Sequence, residues 1–266
     1  MTADSPASPT PDEIYAFQTS GYLVIPGFLT PDHVTLLTER LQAVIERRRR
    51  EAADGVRVNG VTDVEGPSTR IFHILEDDPA LLDLIDYAPL MPYVHAFLIR
   101  SPHFHASDAI WEVGASDRPP HWHPDGGYLR VLARPTPLMQ LKVGYYLSDM
   151  REPGRGNLML VPGSHRSAAE PSPEQREGYD TMPGAIQVCG PPGTAVMFHN
   201  AVWHTRGPCT EPNASRIMLY YAYEHGFMLA NPEHWSYSKA FYAGLSPERR
   251  ALFHGFVFDP PERRWS

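Results

Sequence analysis

The feature that most constrains the fold is the close spacing of turns in the second half of the chain. The sequence has 28 prolines and 20 glycines, and clusters such as Pro162-Gly163-Ser164 and Pro191-Pro192-Gly193 separate short apolar runs. This spacing favours many short strands over long helices. The predicted strands are residues 103–113, 138–147, 158–161, 195–198 and 216–223. The fold class indicated is mainly β, a sandwich with flanking helices.

Two helices are predicted before the β-rich region. Thr10, Pro11 and Glu13 match an N-terminal capping pattern, and Gly21 is expected to end this helix before a strand. A second helix begins at Thr30-Pro31, and its apolar residues recur at helical spacing, which predicts one buried stripe. These residues are Val34, Leu37, Leu41, Val44 and Ile45. Residues 78–99 and part of 231–266 also read as helical.

Charge limits the partners that this chain can have. The formal net charge is -8, so no global basic field would attract nucleic acid or an anionic membrane. The run Arg47-Arg48-Arg49-Arg50 follows the second helical stripe, where cations complement the helix dipole. A solvated helix end is therefore favoured over an anion-binding site. An acidic ligand would need a local cation inside a pocket.

The organisation expected is a disordered tail over residues 1–9 and a single domain over residues 10–266. No internal repeat or long linker divides the chain. The two cysteines are too few for a disulfide framework. No signal peptide and no apolar run of about 20 residues is present. We expect a cytoplasmic protein with no membrane partner, and a monomer and a dimer are both open.

Candidate metal ligands lie in two histidine-containing segments. Residues two apart in a strand share a face, so a ligand pair could be His121 with His123 or His123 with Asp125. An imidazole with a carboxylate suits iron(II) that keeps open positions, whereas two histidines would suit zinc or copper equally. A further ligand could come from His199 or His204. The residues alone leave open which pair supplies the ligands and which histidine completes the set. A single His-x-Asp pair is weak evidence for a metal site, because a chain with 13 histidines contains such pairs by chance.

Arg216 is the candidate for binding an acidic cosubstrate. A turn-rich stretch after His204 leads into the predicted strand that Arg216 opens, and such a hairpin returns the chain beside its start. A guanidinium matches a carboxylate in bidentate fashion. The distal carboxylate of 2-oxoglutarate would need such a partner.

Three segments resemble the phytanoyl-CoA dioxygenase-like (PhyH) branch of the Fe(II)/2-oxoglutarate oxygenases. They are HWHPDGGY (121–128), GRGNLMLVPGSHR (154–166) and GTAVMFHNAVWHTRGPCTEPNASR (193–216). The resemblance extends from about residue 12 onward. It implies a double-stranded β-helix, the cupin-like jelly roll. It also implies a dioxygenase that uses Fe(II), 2-oxoglutarate and O2, releases succinate and CO2, and oxidises a C–H bond of a small molecule.

Carried over residue by residue, the resemblance implies that His123, Asp125 and His204 are the catalytic metal ligands. It implies that Arg216 binds 2-oxoglutarate. Lys142 lies where similar enzymes often place a cosubstrate contact, and a lysine that reaches the surface is the alternative. The carboxylate of Asp125 implies hydroxylation and not halogenation, because related halogenases have a small residue there. Desaturation, cyclisation and epoxidation remain open.

Two histidines and one rival function complete the expectations. His121 is expected to pack beside the site, and His199 to be structural or to support the ligands. The rival is a cupin-like metalloenzyme or a metal-free binding sandwich that does not use 2-oxoglutarate. Neither version of the rival requires Arg216.

Overall fold

The computed structural model describes most of the chain. The described residues are 8–54, 62–65, 68–99, 101–126, 133, 135–228 and 237–253, and for residues 62–65 they include the backbone alone. Most of the tail predicted over residues 1–9 lies outside them, as do residues 254–266 of the C-terminal stretch.

The secondary structure follows the predicted order of elements. The helices are α1 (Pro11–Ser20), α2 (Pro31–Ala53), α3 (Pro79–Leu82), α4 (Met91–Phe97), α5 (Lys239–Gly244) and α6 (Pro247–Ala251). The strands are β1 (Tyr22–Ile25), β2 (Thr62–Glu65), β3 (Ser68–Phe72), β4 (His103–Val113), β5 (Gln140–Tyr146), β6 (Leu158–Leu160), β7 (Ile186–Gln187), β8 (Ala195–His199), β9 (His204–Arg206) and β10 (Ser215–Glu224). The five predicted strands are therefore confirmed. The helical stretch predicted over residues 78–99 is two short helices with a turn between them.

Two antiparallel sheets form the body of the molecule. Over the residues that are described, the larger sheet has seven strands in the order β1-β8-β5-β10-β4-β3-β2, and the smaller has three in the order β7-β6-β9. Non-consecutive neighbours in both sheets mean that the chain crosses repeatedly between them. This interleaving is the double-stranded β-helix, or jelly roll, that the resemblance implied.

Alternation along the central strands gives the larger sheet two different faces. In β5, Leu141, Val143 and Tyr145 belong to the main hydrophobic core together with residues of α1 and α2. Lys142 lies on the opposite face, which lines a cavity. The fold thus keeps an apolar face for the helices and leaves the other face for chemistry.

The two N-terminal helices form as their sequences predict. Thr10 and Glu13 make a reciprocal capping box at the start of α1, and Gly21 ends it with a left-handed φ of 80°. Phe17 is buried in the core. The predicted stripe of α2 is buried as well: Val34, Leu37, Leu41, Val44 and Ile45. None of the helices in the described part of the chain is both long and apolar enough to span a bilayer.

The arginine run in α2 is only partly solvated. Arg48 is only 2% exposed, and it donates to both carboxylate oxygens of Asp77, at 3.0 and 2.6 Å. Arg47 also contacts Asp77, and Arg49 donates to the Thr69 hydroxyl at 2.6 Å. The expectation of solvent exposure is met by Arg50, which is exposed. It was wrong for Arg48, because a buried carboxylate from a distant turn pairs with that side chain.

Candidate active site

A cavity of about 830 Å³ lies between the two sheets. Strands of both sheets and the loop after β4 contribute to its lining. The ligands and cosubstrate contacts that the family resemblance implied all line it: His123, Asp125, Lys142, His204 and Arg216. The fold therefore collects side chains from four separate segments in one place.

His123, Asp125 and His204 converge at one part of this cavity. Asp125 Oδ1 lies 3.8 Å from His123 Nε2, and Asp125 Oδ2 lies 3.7 Å from His204 Nε2. One ligand atom of each residue lies within 4.8 Å of the others. Two imidazoles and one carboxylate in this arrangement could hold a single metal ion.

The segment that carries His123 and Asp125 is extended, but it is not a regular strand. His123 and His204 exchange backbone hydrogen bonds of 3.0 and 2.9 Å, and the Asp125 N–H donates to the Asn200 carbonyl at 2.8 Å. The strand expected over residues 121–125 is therefore reduced to one isolated bridge beside β9. This pairing still directs both side chains into the cavity.

Backbone carbonyls fix the orientation of both imidazoles. His123 Nδ1 lies 2.6 Å from the His121 carbonyl, and His204 Nδ1 lies 2.9 Å from the Val202 carbonyl. A carbonyl only accepts hydrogen bonds, so each Nδ1 carries a proton, and Nε2 is the nitrogen that each ring presents to the cavity as a possible metal ligand. Burial lowers the pKa of His204 to about 4, and its ring is therefore neutral at pH 7.

Lys142 places a positive charge beside Asp125. Its Nζ lies 3.3 Å from Asp125 Oδ2, and its side chain is 17% exposed. Burial alone would raise the pKa of Asp125. The nearby charge of Lys142, together with His204 and His123, has the larger effect and holds that pKa below its usual range. The carboxylate is thus ionised at neutral pH. The surface alternative for Lys142 is wrong, because its ammonium group points into the cavity.

Arg216, near the start of β10, is buried in the cavity lining. Its Nε donates to the Gly156 carbonyl at 2.7 Å, and its Nη2 lies 3.5 Å from the Tyr220 hydroxyl. Neither partner carries a formal charge, so the charge of the guanidinium is not neutralised by them. Gly156 has a φ of 75°, and a Cβ there would lie 2.7 Å from Arg216 Cδ. Glycine at this position is what permits the close approach.

His121 and His199 lie outside the ligand cluster. The His121 ring is exposed at the cavity and packs against His123, with 4.9 Å between ring centroids. His199 is buried, and its Nδ1 accepts the Ala201 N–H at 2.9 Å. Burial, with a smaller effect from His165, lowers the pKa of His199 to about 3. These contacts agree with the structural role expected for His199.

Asn200 is a site residue that sequence reasoning missed. Its buried side-chain oxygen accepts the N–H groups of Met139 and Gln140, at 3.0 and 3.2 Å. Its carbonyl accepts the Asp125 N–H. Asn200 therefore ties the segment of Asp125 to the start of β5. In the sequence, the feature that could have pointed to Asn200 is its position four residues before the candidate ligand His204.

A buried ion pair near Arg216 was also missed. Arg206 donates from Nε to Glu112 Oε2 at 3.1 Å and from Nη2 to Glu112 Oε1 at 2.5 Å. Glu112 lies opposite Arg216 in the register of β4 and β10. No local pattern predicts this pair, because 94 residues separate its members.

A family model and several known proteins are similar to this chain. The family model described as phytanoyl-CoA dioxygenase (PhyH) matches residues 17–217. The ectoine dioxygenase of Sphingopyxis alaskensis is 24% identical, over 88% of this chain and 83% of its own. The ectoine dioxygenase of Stutzerimonas stutzeri is also 24% identical, over 79% of this chain and 74% of its own.

Solved structures share the fold. HygX from Streptomyces hygroscopicus, with nickel, 2-oxoglutarate and hygromycin B bound, has a TM-score of 0.66 at 18% identity, over 85% of this chain and 90% of its own. EctD from S. alaskensis, with 2-oxoglutarate and 5-hydroxyectoine, has a TM-score of 0.65 at 24% identity, over 85% of this chain and 78% of its own. The family match extends over most of the chain. The protein therefore belongs to the phytanoyl-CoA dioxygenase (PhyH) family and is a 2-oxoglutarate-dependent iron dioxygenase.

Proposed function

We propose that His123, Asp125 and His204 bind one ferrous ion, and that 2-oxoglutarate binds between this ion and Arg216. The donor set supports iron, because two imidazoles and an ionised carboxylate suit iron(II) with open coordination positions. The observation that carries the proposal is the convergence of these three side chains and a buried arginine on one cavity.

The protein's own residues hold and orient the cosubstrate. Arg216 binds the distal carboxylate through its planar fork. Lys142 lies beside Asp125 and contacts the end of 2-oxoglutarate nearer the metal. Leu158 and Phe198, both 2% exposed, line the same cavity. Their apolar surface keeps water out, which strengthens each charge interaction with the bound diacid.

The reaction that we propose is hydroxylation of an unactivated C–H bond. When bound, iron supplies oxygen activation coupled to decarboxylation of 2-oxoglutarate, with release of succinate and CO2. The protein fixes the orientation of the imidazoles, keeps Asp125 ionised and orients the diacid. Asp125 would supply the carboxylate ligand that a halide would have to replace, so halogenation is disfavoured.

The cavity lining favours a small polar substrate. Arg70 and Asp108 form an ion pair of 2.8 Å on this lining, and the Arg70 side chain is 49% exposed. Ser68 and Arg118 line the cavity as well. A fatty acyl chain would strip water from these groups without replacing their hydrogen bonds, which costs free energy. A molecule with charged or hydroxyl groups avoids that cost.

We also propose a cytoplasmic protein in which residues 10–266 form one domain. The two cysteines, Cys189 and Cys209, are free thiols, which fits a reducing compartment. The choice between a monomer and a dimer stays open.

An anaerobic titration tests the proposed function. Iron(II)-loaded protein should develop a visible charge-transfer band when 2-oxoglutarate is added, and zinc-loaded protein should not. When oxygen is admitted, a pool of small polar metabolites should stimulate succinate release more than a pool of fatty acyl compounds. Iron-loaded protein that never develops the band would favour the cupin-like rival.

A further inference from the structure

We infer that Arg206 is a positioning residue that keeps Arg216 available for 2-oxoglutarate by neutralising Glu112. The inference rests on the proposed role of Arg216. It adds a residue outside the proposed ligand set, and it assigns a function to a buried ion pair on the cavity lining.

Glu112 is within reach of Arg216 by strand register. The two residues are directly opposite each other on β4 and β10, and both line the cavity. Opposed residues in an antiparallel pair have Cβ atoms about 4.5–5.5 Å apart, so long side chains on one face can meet. A carboxylate at position 112 is therefore a natural partner for the Arg216 guanidinium.

Arg206 occupies that carboxylate instead. Its two hydrogen bonds reach both oxygens of Glu112, at 3.1 and 2.5 Å. The Glu112 side chain is 1% exposed and that of Arg206 is 16% exposed. Arg216, in contrast, contacts the Gly156 carbonyl and the Tyr220 hydroxyl. Glu112 therefore pairs with Arg206, and the Arg216 guanidinium stays available for a ligand.

Loss of the Arg206 charge should redirect Glu112. A buried carboxylate without a cation is strongly unfavourable, and Arg216 lies opposite it. An ion pair between Glu112 and Arg216 would then compete with the distal carboxylate of 2-oxoglutarate. The cosubstrate should bind more weakly, although the metal ligands are unchanged.

The experiment measures binding of 2-oxoglutarate to iron(II)-loaded protein without oxygen, with metal content measured in parallel. Arg206→Gln should weaken 2-oxoglutarate binding by about tenfold or more, which corresponds to a loss of about 1.4 kcal/mol or more in binding free energy. The double variant Glu112→Gln with Arg206→Gln should restore affinity to within about threefold, because the competing carboxylate is gone. All variants should bind iron as the parent does.

Arg249→Gln is the matched control. Arg249 makes a similar two-point ion pair with Asp86, at 2.9 and 3.0 Å, and its side chain is 24% exposed. It belongs to α6, outside the cavity lining. Its loss should lower stability without a change in 2-oxoglutarate affinity.

Parent-like affinity in Arg206→Gln, or a double variant that stays weak, would overturn the inference. If Arg206→Gln does not fold, Arg206→Lys should show a smaller loss of affinity that Glu112→Gln removes. An equal loss with and without Glu112→Gln would overturn it too. Failure of the proposed function is a different result: the iron-loaded parent itself would not bind 2-oxoglutarate.

Discussion

The two ends of the cavity are built in different ways. At the metal end, carbonyls two residues before each histidine ligand, from His121 and Val202, orient the rings. At the diacid end, Arg216 hydrogen-bonds to the Gly156 carbonyl and the Tyr220 hydroxyl, and Arg206 forms an ion pair with the neighbouring Glu112. The metal end is thus set mainly by local main chain, and the diacid end by distant segments. Substitutions far along the chain should therefore disturb the diacid end more often.

The largest expected effect is at the metal end. Asp125→Ala should abolish succinate formation and strongly reduce iron content, because it removes the one anionic ligand. Asp149→Ala, which removes a carboxylate paired with Arg151 outside the cavity, is the control and should keep turnover. Wild-type-like turnover in Asp125→Ala would remove the ligand assignment.

Arg216→Ala should produce the next largest effect, and only at the diacid end. The 2-oxoglutarate requirement should rise by about thirtyfold or more, because truncating one partner of a buried charge pair commonly costs about 2–5 kcal/mol. The requirement for the main substrate and the iron content should change far less. Arg216→Lys keeps the positive charge but lacks the planar guanidinium, so its 2-oxoglutarate requirement should lie between those of the parent and of Arg216→Ala. An unchanged 2-oxoglutarate requirement would contradict the assignment.

Asn200→Ala tests a distant side-chain support of the metal end. Iron affinity should fall by about tenfold, as is typical when a residue that supports a ligand is lost. Asn157→Ala also removes a buried amide, which donates to the Met150 carbonyl at 2.8 Å, and it should leave iron affinity unchanged. Equal iron affinity in both variants would show that main-chain contacts alone hold Asp125.

Gly156→Ala should have the smallest effect, at the diacid end. The new Cβ would press on Arg216 Cδ and should raise the 2-oxoglutarate requirement by about threefold to tenfold, the scale of about 1 kcal/mol of strain. Gly184→Ala carries the same backbone strain, with a φ of 71° and no atom within 4 Å of the new Cβ. The control should lose stability and keep its 2-oxoglutarate requirement.

The sequence predicted the parts of this molecule that local patterns specify. Short apolar runs between turn clusters predicted the strands, and helical spacing predicted the buried stripe of α2. The spacing of His123 and Asp125 allowed both to face one point, although a rival pairing with His121 stayed open until the family resemblance was considered. The choice of His204 over His199 also came from that resemblance.

The remaining features depend on register between distant strands and on contacts between distant segments. The Arg206–Glu112 pair requires β4 and β9 to meet across the cavity, and no periodicity encodes that. The Arg48–Asp77 pair likewise joins a helix to a remote turn, so one arginine of a run that is typical of a solvated surface is buried. Asn200 acts through backbone groups of another strand, which a sequence pattern does not reveal.

The central claim is that one diacid bridges the metal and Arg216. The most direct measurement compares anaerobic binding of 2-oxoglutarate and of 2-oxopentanoate, which lacks the distal carboxylate, to the iron-loaded parent and to Arg216→Ala. The parent should bind the diacid more tightly by about thirtyfold or more, and Arg216→Ala should bind both compounds with similar, weak affinity. A variant that still prefers 2-oxoglutarate as strongly as the parent does would contradict the account.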